Sequence, residues 1–116
     1  MAINITETFY PKTRVQWRKW LASNHSKKSE IWLVYFKKNT GKPTISYVDA
    51  VEEALCFGWI ESRERSLDSE RYAQRFTPRR PKSHWTEGNI KRYKMLINLG
   101  FMTDAGKKAF KSKPKL

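Results

Sequence analysis

Cys56 is the sequence's only cysteine, so no intramolecular disulfide can form. Two histidines, His25 and His84, lie far apart and have no Cys or His neighbour at metal-ligand spacing, and no metal site is expected. The five glycines are as uninformative. Gly41 sits among lysines without Walker spacing, and no Gly-rich dinucleotide fingerprint is present, so no cofactor is expected. No apolar run approaches the roughly 18 residues that span a bilayer. The N-terminal residues also have no hydrophobic stretch of signal-peptide length. The expected setting is the reducing cytoplasm.

Negative charge is the other shortage. Eleven Asp and Glu face 24 Lys and Arg, a net charge of +13 over 116 residues. Such an excess favours anionic partners: an anionic small molecule, an acidic protein surface, or nucleic acid bound without specificity. The length suits one domain, which can bury roughly two thirds of its unfolded surface. Aromatics at 14% must supply much of its core. A monomer is the expected state.

The pattern predicts an α+β fold, a small antiparallel sheet of about three strands packed by three to four helices. Thr13 and Gln16 form a capping box for a helix over 14–23 that buries Trp17, Trp20 and Leu21 and exposes Arg18 and Lys19. Residues 31–36 are apolar on both alternating faces and read as a central strand covered on both sides. Ser46 caps a second helix, with Val48, Val51, Ala54 and Leu55 as its buried stripe and Gly58 at its end. In its first turns Asp49, Glu52 and Glu53 complement the dipole. Residues 59–65 and 71–77 form a hairpin in which Tyr72, Gln74 and Phe76 share one face and Arg75 takes the other. Ser83 or Thr86 caps a third helix carrying Ile90, Tyr93, Met95, Leu96 and Ile97, and Thr103 and Asp104 open a short fourth one. Residues 1–11 are expected to be an N-terminal arm, 12–110 the domain, and 111–116 a basic flexible tail.

The most informative stretch is 75–85. Arg75, Arg79, Arg80 and Lys82 precede a helix start, where free amides and the dipole favour an anion. Ser83 is a further donor, and the guanidinium forks suit phosphate or carboxylate. Pro78 and Pro81 stiffen the segment. Trp59, Glu61, His84 and Trp85 are the candidate pocket wall. The competing reading pairs Arg75 with Glu61 or Glu64 across the hairpin and places both tryptophans in the core. No catalytic residue is assigned. Cys56 reads as buried and inert at a helix C-terminus, and an enzyme using Glu61 and His84 requires the fold to unite them. Nucleic-acid binding, to RNA in particular, is the alternative binding function, although no standard motif for it is present.

The segments Ala54-Leu55-Cys56-Phe57-Gly58-Trp59-Ile60-Glu61, Arg75-Phe76-Thr77-Pro78-Arg79-Arg80-Pro81-Lys82-Ser83-His84-Trp85 and Leu99-Gly100-Phe101-Met102-Thr103-Asp104-Ala105-Gly106 together carry a resemblance. In that order they resemble the YdeI/OmpD-associated family, also called bacteriocin-protection proteins, over residues 9–110. Glu61 stands where that family usually has Asp, and Ser62 where Gly is common. The resemblance implies a bacterial protein linked to antimicrobial-peptide tolerance or envelope stress, and it brings no catalytic residues.

Overall fold

The computed structural model describes residues 4–112. Four strands and four helices follow in the order β1 (Thr8–Phe9), α1 (Arg14–Asn24), β2 (Ile31–Phe36), α2 (Tyr47–Cys56), β3 (Trp59–Ser66), β4 (Arg71–Pro78), α3 (Glu87–Asn98) and α4 (Asp104–Lys111). The sheet order is β1-β2-β4-β3. β4 pairs antiparallel with both β2 and β3, which gives the expected antiparallel core of the sheet. The segment read as an arm adds a fourth strand. β1 runs parallel to β2, tied by a Trp32 amide donating to the Glu7 carbonyl, and the sheet is therefore mixed. Lys111 ends α4, and residues 113–116 of the expected tail lie outside the described residues.

Side-chain caps fix the helix starts. Hydroxyls of Thr13, Ser46, Thr86 and Thr103 each accept the amide three residues ahead. Gln16 completes the first cap by accepting the Lys12 amide, one residue earlier than in a standard capping box.

Alternation and pairing divide the sheet into two faces. Ile31, Leu33, Tyr35, Trp59 and Phe76 point to one side and join a single core with Trp17, Leu21, Ala50, Ala54, Leu55, Tyr93 and Leu96 from α1, α2 and α3. The Trp17 indole donates to the Ala50 carbonyl inside this core, joining α1 to α2. On α4, Gly106 is buried, and the Thr103 hydroxyl and amide before it both donate to the Cys56 carbonyl. All four helices thus lie on one face. Trp32, Val34 and Ala73 are buried outside that core, on the opposite face, which no described helix covers.

Two sequence expectations shift within α2. Val48 is exposed, because the buried stripe runs through Ala50, Val51, Ala54 and Leu55. The acidic residues do more than complement a dipole. Arg14 reaches Asp49, Glu52 and Glu53, and Arg18 reaches Glu53 as well. Arg18 is therefore half-buried rather than free. Its guanidinium also stacks on Phe57 and donates to the Phe101 carbonyl. On α3, Met95 and Ile97 face solvent while Tyr93 and Leu96 face the core.

Candidate anion-binding site

β4 ends at Pro78, and the chain then turns under its own charges. The Arg79 amide donates to the Gly58 carbonyl, extending the contact with β3 by one residue. Ser83 donates to Arg80 across a turn in which Lys82 adopts a left-handed φ of 66°. That conformation costs a non-glycine residue about 1 kcal/mol or more. It is held by the Lys82 amide, which donates to the Ser112 carbonyl at the end of α4. The turn brings Trp85 back into the core, edge-on to Tyr93 and Phe110.

Arg79 lies over this tryptophan, its guanidinium carbon 4.0 Å from the ring centre. One terminal nitrogen makes long 3.4 Å contacts with the Ser83 hydroxyl and the His84 carbonyl. The Nε is buried without a partner, as is the Trp85 indole nitrogen. Burial pushes the Arg79 pKa below its ordinary value, while the charge of Glu61 acts in the other direction. No carboxylate lies within ion-pair distance of it among the described residues.

A cleft of about 200 Å³ opens between this turn and α4. Arg79, Arg80 and Lys108 supply its positive charge, His25 and Ser112 its remaining polar edge, and Trp59 part of its apolar wall. No carboxylate lines it. Trp59 is oriented by donating to the His25 carbonyl. Gly58, at φ 76°, lets α4 approach closely here, since a Cβ would stand 3.0 Å from that of Ala109.

The structure brings together only part of the expected set. Arg79, Arg80 and Trp59 line the cleft, Ser83 contacts Arg79 from behind, and Trp85 forms the core under it. Arg75 is elsewhere, on the opposite sheet face, where it pairs with Glu30 rather than with Glu61 or Glu64. Lys82 is exposed and outside the lining. The helix N-terminus is also elsewhere: α3 starts at Glu87 behind Thr86, and none of its residues lines the cleft. Glu61 accepts the Tyr47 hydroxyl, and His84 offers Arg79 only its carbonyl, so no hydrogen bond unites that acid–base pair. Sequence reasoning missed His25, Lys108 and Ser112. They come from helix ends remote in the chain, and no local pattern marks them.

Cys56 is fully buried, and burial pushes its thiol up to about 11. Among the described residues no three His, Cys, Asp or Glu side chains gather as a metal site, and no helix is long and apolar enough to cross a membrane. No curated protein and no solved structure gives a significant match to the chain. The resemblance to the YdeI/OmpD-associated family does not stand, because a different family model takes in nearly all the residues that carried it. Residues 9–109 match the domain of unknown function DUF8412, and the chain belongs to that family.

Proposed function

We propose that the protein is a non-catalytic binder of a small oxyanion, a phosphate or carboxylate group, held in the cleft between the 79–83 turn and α4. Arg79 carries this reading. Arg14, Arg18, Arg71 and Arg75 each meet a carboxylate, whereas Arg79 is desolvated with none. Burying an unpaired charge is costly, and an oxyanion at the guanidinium removes that cost while forming charge-assisted hydrogen bonds. Trp85 supports one face of the fork, so little ordering is needed on binding. Arg80 and Lys108 add attraction from the rim. The volume fits a single phosphate or carboxylate group and not a folded surface, so an acidic protein would engage it through one side chain.

Titration with inorganic phosphate and pyrophosphate tests the proposal, read by tryptophan fluorescence and by melting temperature. Saturable binding that stabilises the native protein is expected, by about 2.7 kcal/mol at a hundredfold excess over Kd. The Arg79→Met variant should lose that stabilisation while Lys111→Ala retains it. Equal responses from both variants, or none from the native protein, would sink the reading.

A further inference from the structure

The sheet face turned away from the helices has its own composition. Strand pairing sets Phe36 opposite Arg71, Val34 opposite Ala73, and Trp32 opposite Arg75. Across the other ladder Arg65 stands opposite Ala73. The register slips between Glu61 and Glu64, so that Ser62 and Arg63 together oppose the single residue Arg75. Such a bulge re-aims side chains. Here it returns Glu64 to the helical side, opposite Gln74, and gives Arg65 to the open side. Four arginines on two neighbouring strands, Arg63, Arg65, Arg71 and Arg75, thereby converge around Trp32 and Ala73.

Their spacing is that of the sheet, roughly 4.8 Å between strands and 6.7 Å between alternate residues. Arg71 pairs with Asp68 in an exposed pair of the kind that contributes little and exchanges readily, while Arg75 pairs with the part-buried Glu30. Arg63 and Arg65 have no ion pair among the described residues.

What this face lacks identifies its partner. Trp32 and Ala73 are 0% exposed and Val34 6%, so the apolar centre is sealed. A protein interface uses accessible aromatic or aliphatic anchors at its centre, and a membrane surface takes up an apolar wedge. The centre of this face offers neither, and the apolar residues at its ends, Phe36 and Ile60, are partly buried, Phe36 beneath the Lys42 ammonium and against the Tyr10 ring. Planar cationic forks on a rigid sheet remain, and these match phosphates repeated along a polymer. We infer that this open sheet face binds the phosphate backbone of nucleic acid without reading its sequence. The site is separate from the Arg79 cleft and does not depend on it.

The test uses the full chain with a fluorescein-labelled 20-nucleotide RNA of mixed sequence and a 20-base-pair duplex, read by anisotropy across salt. Four phosphate contacts give a slope of log K on log salt of about −2.8 for the single strand and about −3.6 for the duplex. The doubly substituted Arg63→Ala/Arg65→Ala protein, altered only at unpaired positions, should bind at least roughly tenfold more weakly, with a slope flatter by about 1.4 to 1.8. Lys91→Ala/Lys94→Ala on α3 removes the same charge from the helical layer and should change affinity less than about threefold. Arg79→Met should bind nucleic acid as the native protein does, which separates this result from the fate of the cleft. The inference is overturned if the lysine pair weakens binding as much as the arginine pair, or if the arginine variant keeps the native slope. Equal competition by polyglutamate at matched charge would also overturn it, by assigning the face to acidic polymers in general.

Discussion

Gly106 passes so close to Cys56 that a Cβ on the glycine would stand 2.5 Å from the Cys56 carbonyl oxygen. Met102 would clash with it on another side. The carbonyl already accepts from Thr103, which holds the start of α4 against the end of α2. Gly106→Ala should therefore push the two helices apart at a point where backbone, not a flexible side chain, must yield. A loss of about 2 to 3 kcal/mol is expected. Urea unfolding monitored by circular dichroism would measure it, and a loss below about 0.5 kcal/mol would mean that α4 is not held there.

Glu53 is 4% exposed and accepts from both Arg14 and Arg18. Glu53→Gln keeps the shape and removes the charge between two guanidinium groups. It should cost about 2 kcal/mol, less than for a fully buried pair because both arginines are about a third exposed. Asp49→Asn, at the exposed margin of the same cluster, should cost less than about 1 kcal/mol. Melting the two variants side by side separates the core charge from its periphery.

Acid should destabilise the protein partly through Glu30. The Thr6 hydroxyl and then the Arg75 guanidinium hold its carboxyl below the usual range. A depressed folded pKa contributes stability that is complete above the unfolded value, about 4.3, and is lost as pH falls through the folded one. The melting temperature should thus decline below about pH 4.3. Glu30→Gln should decline less steeply, and the two curves should converge in strong acid. A constant gap between them down to pH 2 would contradict the assignment.

Cys56 should be silent in the native state. Its thiol is sealed, and burial followed by the nearby Glu53 charge raises its pKa, against the opposing effect of Arg18. With an aromatic disulfide reagent at pH 8, labelling should proceed only at the rate of opening and become rapid and stoichiometric in denaturant. Fast labelling of the folded protein would place the thiol near the surface.

The parts of this fold written in local chemistry were legible in the sequence. Thr13, Ser46 and Thr103 start helices by hydroxyl caps, Thr86 does so as one of the two residues the sequence offered there, and Gly58 and Gly100 follow helix ends with positive φ, each a decision made within a few residues. β1 was not legible, since two residues have no periodicity and Thr8–Phe9 is a strand only because β2 lies beside it. The partner of Arg75 was missed for a related reason. Sequence proximity pointed across the hairpin to Glu61 or Glu64, whereas the order β2-β4-β3 brings Glu30, just before β2, to the other side of β4. The candidate site divides likewise: the 79–85 turn was visible, and the residues lent to it by the ends of α1 and α4 were not.

The slip at Ser62–Arg63 has a further consequence, at the rim of the sheet. β3 is an outer strand, and a long straight outer strand offers its free backbone groups as a template for another chain. Here the ladder is broken midway, and charged side chains, Glu61, Arg63, Glu64 and Arg65, crowd both halves. Neither half is long enough to recruit a stable added strand. Copies brought close together along a shared polyanion would therefore meet at interrupted rims carrying charges of both signs, with no unbroken edge to pair, and stay separate molecules rather than fuse into a continuous sheet.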